Sequence, residues 1–195
     1  MKKTRPYVLQ ARAQAVLETR ERIMEATLAM ATEKPLSALV LPDIAARSGV
    51  SVQTVLRQFG SRDGLLDAAG GLASDRVRNE RQVVPGDIPA AITTLFDHYE
   101  ARGDGILLLL GQEGWEPRAA KITAQGRAIH QDWVEQAFAP LVAPARGPDR
   151  GQTLDLLVVA TDVYTWKLLR RDRKLDRKQA EAHMLRLVSA ILAGI

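Results

Sequence analysis

The 195-residue sequence predicts an all-α protein, with a short N-terminal domain of three helices and a longer C-terminal helical domain. Three observations predict it. Alternating apolar and polar runs of strand type are absent, and β-branched clusters are few. Apolar residues recur at helical spacing, as Ile23, Ala26, Thr27 and Met30 do on one face of the first segment. Proline, glycine and N-capping residues then divide the chain into about nine such segments.

The first helix is expected from about residue 11 to residue 33. Lys34-Pro35 closes it, because proline disfavours helical geometry at the residue before it. A short helix starts near Leu41-Pro42, where the missing proline N–H costs nothing in a first turn, and ends at Ser48-Gly49. A third starts after the N-cap Ser51 and stops at Gly60. Ser61 caps a fourth that continues to about Glu80. A loop over 83–89 offers Asp87 as the next N-cap. Helix follows through Ile92, Leu95, Phe96 and Tyr99 to Ala101, with Gly103 and Gly105 breaking the chain before a segment over 106–115. Pro117 opens a long helix through Ile122, Ile129, Trp133 and Ala137 to about Pro140. Pro144, Gly147 and Pro148 mark a loop. The last two segments span about 150–171 and 176–193, and Asp176 with Gln179 three residues later has the spacing of a capping box.

Composition narrows the function classes. There is no cysteine, so no disulfide framework, zinc finger or thiol nucleophile is available. The longest aliphatic run, 106–110, is far too short to cross a bilayer, and no signal-peptide stretch follows the basic first residues. A cytoplasmic protein without membrane contact is expected. Net charge is +4 and lies wholly in the first third: residues 1–66 hold 10 Lys and Arg against 6 Asp and Glu, whereas residues 67–195 hold 17 of each. A polyanion meeting Lys2, Lys3, Arg5 and Arg12 would release counterions.

Short helices joined by a tight glycine turn suggest a helix-turn-helix. Ala45, four residues before Gly49, lets the two helices approach closely. Gly49 can take the positive φ of a sharp turn. Val50 and Val55, with Ile44 beneath, would fix the crossing angle. With Val55 and Phe59 inward, the third helix presents Ser51, Val52, Gln53, Thr54, Arg57 and Gln58. That stretch is roughly 12 Å long, close to the width of a B-DNA major groove. Gln53 can read adenine bidentately, Arg57 guanine or a phosphate, and the methyls of Val52 and Thr54 can meet thymine. Ser61 and Arg62, opening the next helix, suit a phosphate.

From Arg20 to Leu66 the sequence resembles the DNA-binding domain of the TetR family. The matching pieces are Arg22-Ile23-Met24-Glu25-Ala26, Asp43-Ile44-Ala45, Gly49-Val50-Ser51, Thr54-Val55-Leu56-Arg57-Gln58-Phe59 and Ser61-Arg62-Asp63-Gly64-Leu65-Leu66. The resemblance implies a regulator, by default a repressor, with a DNA-binding domain over 1–62 and an effector-binding and dimerisation domain over 63–195. The chain departs from the family pattern where Leu56 stands for a phosphate-binding tyrosine and Gln58 for a common histidine. Val40 and Pro42 stand for a threonine and a charged residue, and Pro35 for a frequent glycine. The basic arm, residues 2–12, is expected to compensate.

The helix from Arg150 is apolar on most sides, so two partners must cover it. Its own bundle covers one face and a second subunit the other. Leu157, Thr161, Trp166 and Leu168, with Met184, Leu187, Val188 and Ile191 of the last helix, are the expected faces of an isologous homodimer. Trp166-Lys167-Leu168-Leu169-Arg170-Arg171-Asp172 resembles the family's dimerisation helices. A two-fold dimer implies palindromic double-stranded operator DNA with half-sites about 34–36 Å apart or a multiple of it. The central helices are expected to enclose a small-molecule effector among Phe96, Tyr99, Gln112, Trp115, Ile129, His130 and Trp133. Trp115 has space beside it at Gly111 and Gly114. No charged residue interrupts the apolar runs there, which favours an uncharged or aromatic effector.

An enzyme is not expected. His98, His130 and His183 lie on different helices, with no histidine four residues away to form a zinc pair. No P-loop, dinucleotide fingerprint or nucleophile elbow occurs, and no cofactor or metal is implied. Two rival readings remain: an architectural DNA-binding protein without an effector, and an interaction protein that kept the fold and lost DNA binding.

Overall fold

A computed structural model describes residues 4–143 and 148–194, and it is helical with no strand among them. The chain divides into two compact units, Met1–Ala73 and Ser74–Ile195. Of the expected loop at Pro144, Gly147 and Pro148, residues 144–147 lie outside the described residues.

In the first unit, α1 (Thr4–Ala31) is followed by a 3₁₀ turn (Leu36–Ala38), α2 (Leu41–Ser48), α3 (Val52–Phe59) and the start of α4 (Arg62–Glu80). Helix α1 begins well before the expected residue 11. Ile23, Leu39, Ile44, Val55 and Leu65 are fully buried and form the centre of this unit. Pro42 occupies the first turn of α2, with Asp43 beside it and Arg47 in the last turn, each sign of charge complementing its end of the helix dipole. Gly49 adopts the left-handed conformation (φ 67°) and donates its N–H to Ala46 O at 3.2 Å, a backbone state that costs glycine nothing.

The second unit contains the last turns of α4, then α5 (Ile88–Leu110), α6 (Pro117–Val142), α7 (Pro148–Thr161), α8 (Val163–Lys167) and α9 (Arg177–Leu192). Helix α5 packs on α6, α8 and α9, and α7 packs on α6 and α9. Leu95, Phe96, Phe138, Leu157, Trp166 and Met184 fill the shared core. Asp87 caps α5 by accepting from Ala90 N at 3.0 Å. Asp176 and Gln179 form the expected capping box at α9.

Two expected boundaries are corrected. Helix α5 runs unbroken through Gly103 and Gly105. The Trp166 ring lies over Gly103, so closely that a Cβ there would sit 2.5 Å from the ring. Gly103 is thus a packing residue inside a helix rather than a break. Conversely, the single helix expected over 150–171 is interrupted at Asp162, whose extended backbone (ψ 153°) lets its carboxylate cap α8 by accepting from Tyr164 N. Beyond α8 the chain widens into a π-helical turn, Leu168–Asp172. Arg170 reaches Glu100 at 2.5 Å and Arg171 reaches Asp104 at 2.8 Å, tying that turn to α5.

Candidate functional site

Two places among the described residues gather side chains with recognition chemistry. The first is α3 and its supports. Ser51 Oγ accepts from Thr54 N at 3.2 Å, so its hydroxyl serves as N-cap. Gln53, Leu56 and Arg57 are exposed, Val52, Thr54 and Gln58 are half-buried, and Val55 is fully buried. The helix therefore turns Gln53, Leu56 and Arg57 outward while Val55 anchors it. Leu56 is 39% exposed, an apolar residue on a polar face.

Three arginines hold this geometry, and for two of them, Arg20 and Arg22, no local pattern in the sequence marks the role. Arg20 places its guanidinium 4.3 Å over the centre of the Phe59 ring and donates to Gln58 O at 2.6 Å, satisfying a carbonyl at the end of α3. Arg22 donates to Ser48 O at 2.9 Å, at the end of α2. Arg62, expected to meet a phosphate, instead donates from Nε to Leu39 O at 2.6 Å and from Nη2 to Leu36 O. It closes the 3₁₀ turn before α2, and a guanidinium spent on two carbonyls is poorly placed to serve DNA. Ser61 Oγ accepts from Gly64 N at 3.0 Å. Lys2 and Lys3 lie outside the described residues; Arg5 falls within α1, and its side chain lies outside them.

The second place is a cleft of about 510 Å³ in the C-terminal unit. The last turn of α4 and the segment after it supply Val77, Arg78, Arg81, Gln82, Val83 and Pro85, and α6 supplies Ile129, Asp132, Trp133, Gln136 and Ala137. Gly86 N donates to Ala137 O at 2.8 Å, and Trp133 Nε1 donates to Arg81 O at 2.7 Å, so both sides are fastened together. Arg81, Ile129, Trp133 and Ala137 are buried and form the floor; Arg78, Gln82, Asp132 and Gln136 are exposed at the rim.

Arg81 is 4% exposed. Its guanidinium stacks 4.4 Å from the centre of the Trp133 ring, and Nη2 donates to His130 Nδ1 at 2.8 Å. An arginine can only donate, so Nδ1 accepts and the His130 proton sits on Nε2, which faces Thr161 Oγ1 at 3.2 Å. Thr161 in turn donates to Leu157 O at 2.7 Å. Burial, then the neighbouring Arg81 charge, push the His130 pKa down to about 3. His98 is likewise lowered to about 4, chiefly by burial. Its Nδ1 lies 3.5 Å from Glu80 Oε2 without making a hydrogen bond. Glu80 is held below the usual carboxylate range mainly by Arg102.

The expected effector residues separate. Ile129 and Trp133 line the cleft. His130 stands behind it, stacked on Trp133. Phe96 and Tyr99 are buried in the core, the Tyr99 hydroxyl donating to Thr161 O at 3.0 Å. Gln112 turns back to Leu108 O at 2.8 Å. Trp115 is 59% exposed in the turn before α6, so Gly111 and Gly114 leave it in solvent rather than beside a cavity. The cleft's Arg81 escaped the sequence reading because it follows α4 in a polar stretch with no local sign of burial. It also supplies the charge that the apolar runs lack.

The expected dimer residues need a similar correction. Leu157, Thr161, Trp166, Met184 and Val188 are buried within their own chain, because α5 and α6 already cover that side of α7 and α9. They have no surface for a second copy. Leu168 (56% exposed) and Leu187 (44%) do, and Ile191 is half-buried. Leu156, Val159 and Tyr164 are also exposed. Among the described residues no group of three or more metal-ligating side chains occurs, and no helix is long and apolar enough to cross a membrane.

A short helix, a left-handed glycine turn and a capped second helix with an outward polar face define a helix-turn-helix of the DNA-binding class. Residues 23–69 match the family described as bacterial regulatory proteins, tetR family. Solved structures match over 90% of this chain. One is a tetR-family transcriptional regulator from Streptomyces coelicolor (TM-score 0.71, 17% identity, 81% of that chain covered). Another is a transcriptional regulator from Rhodococcus sp. RHA1 (0.69, 19% and 96%), and a third comes from Pseudomonas aeruginosa PAO1 (0.65, 18% and 90%). No curated protein matches the sequence. Residues 23–69 are therefore a tetR-family helix-turn-helix domain, and the chain as a whole has the fold of TetR-type transcriptional regulators.

Proposed function

We propose that the protein is a cytoplasmic, homodimeric repressor that binds a palindromic operator through α3 and responds to a small effector held in the Arg81–Trp133 cleft. The observation that carries DNA recognition is the outward placement of Gln53 and Arg57 on a helix locked by Ser51, Arg20 and Val55. Both side chains are free to reach base edges without loosening the fold. The exposed Leu56 supports a contact with thymine methyls in place of a phosphate contact. Leu156, Val159, Leu168 and Leu187, apolar and exposed on neighbouring elements, support a two-fold interface on α7–α9.

The cleft's own walls include Val77 and Arg78 of α4, the helix that begins at Arg62. An effector that binds one arrangement of α4 more tightly than another would shift the balance between DNA-binding and released states by that difference alone. Catalysis forms no part of this reading: His98 and His130 are buried and neutral, and His183 is exposed on α9.

Fluorescence anisotropy on a duplex selected from a random pool tests the reading. Two chains should bind per duplex, with specific affinity at least about 10³-fold above unrelated DNA at the same salt. Replacing Gln53 and Arg57 together by alanine should bring the two affinities together. Equal wild-type affinity for both duplexes contradicts sequence-specific regulation and favours an architectural role. No binding to either favours an interaction protein.

A further inference from the structure

The cleft holds a buried cation that no described residue neutralises. Arg81 is 4% exposed, and its contacts are the neutral imidazole of His130 and the face of Trp133. Among the described residues no carboxylate is in contact with it, and its Nε is buried without a hydrogen-bond partner. An unpaired buried charge is costly, and a guanidinium fork is shaped to receive two oxygens at once. Such an arrangement stays in a fold when a ligand supplies the missing charge.

The rest of the cleft limits what that ligand is. Ile129, Trp133, Val77 and Val83 offer an apolar wall long enough for a small organic body. Asp132, on the rim, disfavours a second anionic group nearby. Gln82 and Gln136 add uncharged polar contacts. Inorganic phosphate would leave the apolar wall uncovered, and a dianion would meet Asp132, while the rim cation Arg78 already has Asp75 as its partner at 3.7 Å.

We propose that the cleft binds an organic monocarboxylate, its carboxylate received by Arg81 and its apolar body lying along Ile129 and Trp133. The inference rests on reading this cleft as the effector site. It replaces the expected uncharged effector with an amphipathic anion. Arg81 is the specificity-determining group, and His130 and Trp133 are positioning residues that hold its fork in place.

Isothermal titration of the full-length protein with matched probes tests the proposal. Benzoate, phenylacetate and octanoate are compared with their own amides and with phenyl phosphate. At least one carboxylate should bind about tenfold or more tightly than its amide, the difference a charge-assisted pair makes over a neutral one. The preference should vanish in Arg81→Gln and survive, weakened, in Arg81→Lys. The wild-type comparison needs no variant, so it decides the matter even if Arg81→Gln does not fold. Equal binding of acids and amides, or a preference for phenyl phosphate, overturns the carboxylate assignment and leaves the effector cleft standing. Binding of none of the probes overturns both.

Discussion

Arg81 donates to Nδ1 of His130 at 2.8 Å, so a cation and a histidine share a buried site in which only one can carry charge. The arginine keeps its proton, and His130 is held neutral with a pKa of about 3. His98 is held neutral at about 4 by burial and by the same arginine. Both values lie below the ordinary 6.5. The stability each contributes is therefore complete above pH 6.5 and is lost as pH falls towards the folded values, because unfolding then takes up protons. Each histidine should contribute a slope of about 1.4 kcal/mol per pH unit in that window. Urea unfolding between pH 7 and pH 5 should show the combined slope, and His98→Gln should remove part of it. The arginine-paired carboxylates Glu80 and Glu100, held below their ordinary 4.5, act only at lower pH. A flat profile from pH 7 to pH 5 would contradict the buried neutral pair.

Gly103 lies under the Trp166 ring, and that contact dictates both an uninterrupted α5 and the seating of α8. Gly103→Ala should destabilise the protein by about 1–3 kcal/mol through overpacking, despite alanine's better helix propensity. Gly126, in α6 with open space around its Cα, provides the comparison: Gly126→Ala should stabilise by up to about 1 kcal/mol. Denaturant midpoints of the two variants check the pair, and a harmless Gly103→Ala would refute the packing argument.

Arg57 on α3 and Arg62 at the start of α4 are both basic, yet one is exposed and the other is engaged by backbone carbonyls. Arg57 is exposed, so Arg57→Ala should leave the melting temperature unchanged while costing about 1–3 kcal/mol of discrimination at one operator position. Arg62 satisfies the carbonyls of Leu39 and Leu36. Arg62→Gln should lower stability by about 1–3 kcal/mol and leave the salt dependence of the remaining DNA binding unaltered. Thermal melts and anisotropy at several salt concentrations separate the two.

Leu187 is exposed and Met184, one turn earlier on α9, is fully buried. Leu187→Glu with Val159→Glu should shift the protein to monomers in sedimentation velocity without loss of helical signal, because both face away from their own core. An unchanged sedimentation coefficient would remove this face as the interface.

Elements marked by local chemistry were legible in the sequence. Pro42, Gly49 and Ser51 delimit the helix-turn-helix, and Asp87, Asp176 and Gln179 place two helix starts. What was not legible depends on partners far along the chain. Gly103 reads as a breaker until Trp166 covers it. Asp162 lies within a helical pattern, and its carboxylate nonetheless caps a new helix. The face of α7 and α9 that is most apolar turned out to be the chain's own core, since periodicity reports burial but not which chain does the burying. Arg81 meets its histidine and tryptophan across about fifty residues of sequence, so nothing adjacent marks it. Arg62 resembles a DNA contact in sequence because only the fold reveals the carbonyls it serves.

Selection from a pool of random DNA duplexes, at a fixed salt concentration, tests the central claim most directly. The account predicts a palindromic consensus, with half-sites spaced by about one helical turn or a multiple of it and contact positions that relax when Gln53 or Arg57 is replaced. Recovery of no consensus, with weak binding that salt abolishes, would contradict it.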